Sequence, residues 1–140
     1  MEFRPDAVRG AGAGRSGTVD YRLARRHVIN EYRRGRLSRL DVCDAHPELL
    51  RVAVHLGKNT DVVCPICEEQ NLMHTSFVFG PRMPPNGRVV EDDRELAKLA
   101  RGADELTCYV VEVCAHCRWN HLHRLFRVGR SRAAASSKAD

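Results

Sequence analysis

Cys64-Pro65-Ile66-Cys67 and Cys114-Ala115-His116-Cys117 decide how this chain is read. Two thiolates with two residues between them can grip one metal ion from a tight turn, and two such turns complete a tetrahedral four-sulfur shell, which suits Zn²⁺. The predicted ligands are Cys64, Cys67, Cys114 and Cys117, around one structural Zn²⁺. Four thiolates leave no open position for water or substrate. The competing reading is redox, because each pair also has the thioredoxin-like spacing. A redox CxxC, however, opens a helix after a strand. Here the first pair precedes a β-type run and the second sits between two of them.

Outward from the two knuckles, the sequence reads as strands. Leu72 to Phe79 alternates Met73, Thr75, Phe77 and Phe79 with His74, Ser76 and Val78. Glu105 to Val113 (ELTCYVVEV) and Trp119 to Val128 (WNHLHRLFRV) are two more. The order knuckle, strand, excursion, strand, knuckle, strand is that of a three-stranded antiparallel zinc ribbon. Lys58 to Val63 reads as a linker. Pro81 to Asp93 reads as a loop, with three prolines and Asn86-Gly87, followed by a short helix from Arg94 to Arg101. This loop-helix insertion, 81–104, should lie opposite the metal end.

On the N-terminal side the period changes from two to 3.6. A helix is expected from Asp20 to Arg34, with Thr18 or Asp20 as N-cap and Gly35 as stop. Its apolar stripe would be Tyr21, Ala24, Val28 and Tyr32. A second short helix should start at the capping box Ser38-x-x-Asp41, and a third should run from Pro47 to Leu56. The expected fold is therefore α+β. A helical subdomain (18–57) of two to three short helices precedes the zinc ribbon (58–128), and tails at 1–17 and 129–140 are read as disordered.

Between residues 22 and 39 there are seven arginines and one acid, Glu31. Ordinary exposed helices interleave the two signs. Arg22, Arg25, Arg26, Arg33, Arg34, Arg36 and Arg39 are therefore candidate phosphate contacts, since a guanidinium matches phosphate oxygens in a bidentate way. The bland alternative is a solvated helix face. A net charge of +5 and a pI near 9.1 favour a polyanionic partner.

Other chemistry-bearing residues read as structural. His121 and His123 share a strand face, with no carboxylate or third histidine beside them in the sequence. His116 would be a ligand only if it displaced a cysteine. Cys43 and Cys108 read as small buried residues, and Trp119 and Tyr109 as core. Glu112 stands in a strand without a paired acid. No nucleophile motif or phosphate loop is present, so no enzyme is expected and no small-molecule substrate. There is no run of 18 apolar residues and no apolar signal core at the N-terminus, which points away from membranes and to the cytoplasm. In a reducing cytosol, six cysteines argue for metal over disulfides.

Residues 41–56 and 62–128 resemble an uncharacterised actinobacterial zinc-ribbon family, a domain of unknown function. The resemblance is carried by Val42-Cys43-Asp44-Ala45, Pro47-Glu48-Leu49-Leu50-Arg51, the first knuckle, and the segment from Tyr109 to Leu122 (YVVEVCAHCRWNHL). The departure is Pro81-Arg82-Met83-Pro84-Pro85, where Asp and Gly would be expected. The resemblance implies a zinc ribbon behind a helical N-terminus and lends no activity. The reading that follows is a non-enzymatic zinc-binding adaptor or regulator in transcription or translation. Its Arg-rich helix would touch nucleic acid or a nucleic-acid-bearing complex such as RNA polymerase or the ribosome. The alternatives are a protein–protein module with a structural zinc, and a thiol/zinc redox sensor.

Overall fold

In the computed structural model, residues 19–102 and 104–129 are described. The tail expected at 1–17, the alternative cap Thr18 and residues 130–140 lie outside that range. The elements run β1 (Val19–Asp20), α1 (Arg22–Arg33), α2 (Arg39–Val42), α3 (Pro47–Leu56), β2 (Lys58–Val63), β3 (Asn71–Phe79), β4 (Arg88–Val90), α4 (Asp93–Ala100), β5 (Glu105–Val113) and β6 (Asn120–Gly129).

The chain is α+β, built on one small antiparallel sheet in the order β1-β6-β5-β3-β2, with β4 also paired to β3. The three strands expected from alternation are its centre, β3, β5 and β6. The sheet is nevertheless six-stranded and not three-stranded. The segment 58–63, expected as a linker, is an edge strand, and 88–90, expected as loop, is another. Neither carries a buried alternating face to read: β2 is exposed at every position except Thr60, and β4 has three residues. Gly129, placed with the tail, instead closes β6 opposite Glu105.

Each helix begins and ends for a local reason. The Asp20 carboxylate accepts the Arg22 backbone N–H at 2.8 Å, and Gly35 follows α1 at φ 79°, a conformation that favours glycine. The Ser38–Asp41 capping box forms in both directions, at 2.7 and 3.1 Å. Pro47 opens α3 while the His46 ring accepts the Glu48 N–H at 3.0 Å. Asp92 caps α4 through the Glu95 N–H at 2.9 Å.

The two faces of the sheet take different helices. Leu49 and Ala53 of α3, with Ala45 and Tyr21, cover Phe77, Val111, Val113, Leu122 and Leu125. On the other face, Leu96 and Leu99 of α4 pack against Val78, Val90, Leu106 and Cys108 at the far end. Toward the cysteines, α1 lays Val28, Ile29 and Tyr32 over Leu72, Cys114 and Trp119. The α1 stripe is rotated from the expected one, because Ala24 is exposed and Ile29 is buried. Ile29 is larger than Ala24, and Arg25, one turn before it, is drawn onto the sheet by a buried acid.

Candidate metal centre

The two knuckles are built alike. In each, the residue after the second cysteine returns its backbone N–H to the carbonyl of the first: Glu68 to Cys64 at 3.1 Å and Arg118 to Cys114 at 2.9 Å. Both residues are left-handed, with φ of 57° and 78°. The first cysteine of each pair then donates its N–H across the turn, Cys64 to Gln70 at 2.8 Å and Cys114 to Trp119 at 2.9 Å. The sulfurs also receive amides: Ile66 N–H points to Cys64 Sγ and Cys117 N–H to Cys114 Sγ, both at 3.4 Å. Such donors offset the negative charge that a thiolate shell carries.

The sequence-predicted ligands Cys64, Cys67, Cys114 and Cys117 come together, every sulfur within 4.8 Å of the others. Cys64 and Cys117 Sγ are 3.6 Å apart, and Cys67 and Cys114 Sγ are 3.7 Å apart. A tetrahedron with metal–sulfur bonds of about 2.3 Å has edges of about 3.8 Å, so the four sulfurs are spaced to hold a metal ion. Burial pushes the Cys64 thiol up to about 11, and it pushes Cys117 up further. Burial also raises Cys67, but the N–H groups of Glu69 and Gln70 and the neighbouring thiols outweigh it, and its net shift is downward.

A fifth sulfur stands beside this shell. Cys43, at the C-terminus of α2, lies with its Sγ 3.4 Å from that of Cys117. It is half-buried, not the inert core residue expected. Cys108 does match that expectation: it is fully buried under α4, and burial pushes its thiol up to about 12.

The arginine cluster divides. Arg25 turns inward and its Nε donates to Glu112 Oε2 at 2.6 Å. Arg34 and Arg36 share Glu31 at 3.5 and 3.3 Å, and Arg22 pairs with Asp20 at 2.8 Å. Arg39 lies near the thiols: burial works against its charge, but the sulfurs of Cys117, Cys43 and Cys67 more than compensate. Arg26 and Arg33 make no ion pair among the described residues. With Arg22, Asn30 and Pro65 of the first knuckle they border a surface hollow of about 340 Å³. Arg118 is tied elsewhere, donating to the Ala45 carbonyl at 2.5 Å.

Glu112 is the chemistry-bearing residue whose surroundings sequence reasoning passed over. It is 2% exposed, and its Oε2 also accepts the indole N–H of the fully buried Trp119 at 2.7 Å. Cross-strand register sets His74 opposite Glu112 on one side and His121 on the other. A β-bulge between Val110 and Val111 adds one residue to β6, and His123 occupies it. The expectation that no carboxylate or third histidine accompanies His121 and His123 is therefore overturned. His121 is buried and stacks on Trp119 at 5.9 Å, whereas His123 meets His74, ring centroids 4.5 Å apart, beside Glu112. Burial chiefly lowers the pKa of both His74 and His123; the positive charges around them act the same way, and the Glu112 carboxylate opposes the shift. No local pattern announces this group, because its members come from three strands.

Among known proteins, the chain is 40% identical over 116 residues to uncharacterized protein Rv0049 of Mycobacterium tuberculosis strain H37Rv. The match spans 83% of this chain and 85% of that protein. Uncharacterized protein Mb0050 of Mycobacterium bovis matches with the same identity and coverage. No solved structure matches the chain at a significant level. Residues 13–140 match the model of a family of unknown function, DUF5318, and the chain accordingly belongs to that family of uncharacterised actinobacterial proteins.

Proposed function

We propose that this protein is a non-enzymatic zinc-ribbon module of the cytoplasm. In this reading the four cysteines hold one structural Zn²⁺, and the outer face of α1 binds the phosphates of a nucleic acid or a nucleic-acid-bearing complex. Donor chemistry supports the metal identity, since four thiolates at tetrahedral spacing suit Zn²⁺. The observation that carries the polyanion reading is the hollow beside the first knuckle. There Arg26 and Arg33, without acidic partners among the described residues, stand with Arg22 around one concavity. Spread along a solvated face, the same charges would have no common target. Among the described residues, no helix is long and apolar enough to cross a membrane.

The test is binding of short RNA and DNA duplexes and single strands to the zinc-loaded chain across a salt series. Phosphate contacts should weaken steeply with salt, and Arg26→Ala with Arg33→Ala should reduce the slope by about two. Arg34→Ala with Arg36→Ala, which removes guanidiniums already engaged by Glu31, should change it less. Unchanged affinity in the Arg26/Arg33 variant would sink the reading, and an acidic protein partner would then be sought for the same surface. A second reading, thiol-based redox sensing, is favoured by Cys43, whose sulfur stands next to one ligand of the shell.

A further inference from the structure

We propose that His74, Glu112 and His123 form a second metal site, distinct from the four cysteines, that takes a divalent transition-metal cation such as Zn²⁺, Co²⁺ or Ni²⁺. The proposal stands apart from the polyanion reading and does not depend on it.

Three observations carry it. One ligand atom from each residue lies within 4.8 Å of the others, so a small movement closes the set around a cation. The three donors come from three adjacent strands of one rigid sheet, β3, β5 and β6, which is a better-defined platform than a loop. One of them is put in place by the β-bulge of β6: the bulge sends His123 as well as Arg124 to the Glu112 face, and bulges re-aim side chains in this way next to functional sites.

The donor set determines what would bind. Two imidazoles and one carboxylate suit Zn²⁺, Co²⁺, Ni²⁺ and Fe²⁺ rather than Mg²⁺ or Ca²⁺, which prefer oxygen. Glu112 takes Arg25 and Trp119 on the same oxygen, Oε2. An ionised carboxylate has about four acceptor positions, so it retains capacity for a cation. Both histidines are half-buried, unlike the fully buried Cys64 and Cys114. Three protein donors facing partly to solvent leave coordination positions for water, whereas four thiolates leave none. The first site would be permanent and the second exchangeable.

The neighbouring charges oppose one another. Arg25 and Arg124 act against a cation here, and Asp20, near His123, acts for it. Arg25 is the nearest opponent, since it shares the Glu112 carboxylate. The expected affinity is therefore modest in the wild type and higher once Arg25 is neutralised.

The experiment uses the full chain, untagged and loaded with one equivalent of Zn²⁺, then titrated with Co²⁺ or Ni²⁺. Native mass spectrometry should show one added ion with the zinc retained. The paramagnetic ion should broaden the imidazole proton signals of His74 and His123 before those of His116 and His55. His74→Gln and His123→Gln should each weaken the added ion by at least about 100-fold, more than the 10–100-fold that losing an outer-sphere partner costs. Arg25→Gln should tighten it by about tenfold, as Coulomb repulsion from the guanidinium is removed. If a histidine variant does not fold, the wild-type broadening pattern decides. The proposal is overturned if no second ion binds, if the ion binds equally well to the His74→Gln/His123→Gln double variant, if Cys43→Ser abolishes binding, or if broadening centres on His116.

Discussion

Arg25→Ala should unbalance the protein far more than loss of any other arginine of α1. The Glu112 side chain is 3% exposed and that of Arg25 23%. Removing the guanidinium leaves a buried carboxylate with the Trp119 N–H as its remaining strong donor. Stranding one member of a buried ion pair costs about 3–5 kcal/mol. The surviving Trp119 bond places the expected loss near the lower end, about 3 kcal/mol. For a domain of this size that corresponds to a fall in Tm of roughly 12 °C or more. The reverse change is milder. In Glu112→Gln the amide oxygen still accepts from Trp119, and Arg25, partly exposed already, turns to water, so the cost is about 1–2 kcal/mol. The double variant should cost little more than Glu112→Gln alone, giving a coupling of about 2–3 kcal/mol. The assay is urea unfolding of each variant with the four-cysteine site kept metal-saturated, and Arg26→Ala serves as the surface control, expected within about 0.5 kcal/mol of wild type. If Arg25→Ala matched Arg26→Ala, the ion pair would not hold α1 to the sheet.

Three further outcomes are expected. Cys108, whose folded pKa is about 12 against an ordinary 9.0, should resist alkylation at pH 8 until the protein unfolds. Because the raised pKa favours the protonated folded state, its contribution to stability is complete below pH 9 and is lost as pH rises toward 12. Cys108→Ala should flatten that alkaline loss in a pH series of denaturant melts, and an unchanged slope would count against it. Peroxide should oxidise Cys43 and Cys117 to a disulfide, peroxide being reduced to water, and the metal should leave with the lost ligand. Cys43→Ser should slow that release several-fold in a chromogenic chelator assay, and equal rates would rule out Cys43 as the entry point. Glu68→Gly, at φ 57°, should be neutral or stabilising by about 0.5–1 kcal/mol in thermal melts, since a left-handed residue with a Cβ carries a penalty of roughly 1–2 kcal/mol; a clear loss would mean that the Glu68 side chain matters.

The parts of the molecule legible in its sequence were those with a local signature. The CxxC spacing located four sulfurs that do converge. Period-two alternation found β3, β5 and β6 nearly to the residue, and Pro47, Gly57 and the Ser38–Asp41 box delimited α2 and α3. What escaped was carried by pairing between distant segments. β2 has almost no buried side to alternate against, so Lys58-Asn59-Thr60-Asp61-Val62-Val63 offered no pattern. Glu112 looked like a lone strand acid because its partners, Arg25, His74 and Trp119, are brought to it by α1, by β3 and by the second knuckle. The arginine run showed the same weakness from the other side. Counting charges marked the helix as basic, but not that Arg25 is consumed internally, nor that Arg34 and Arg36 are held by Glu31.

The pairing of β1 with β6 has a consequence for how the chain is made. Val19 lies opposite Leu125, and Arg25 waits for Glu112. The N-terminal helix can meet Val42 of α2 and Leu72 early, but its partners on β5, β6 and the second knuckle arrive only after about a hundred more residues have left the ribosome. At synthesis rates of about 5–20 residues per second that is roughly 5–20 s, during which Val28, Ile29 and Tyr32 are covered only in part, without Cys114 and Trp119. The second knuckle arrives just as late, so the four-cysteine cluster too can close only near the end of translation. Folding of this chain is thus expected to be slow for its size, as its long-range pairings imply, and a nascent chain halted before residue 112 should be held by chaperones rather than partly folded.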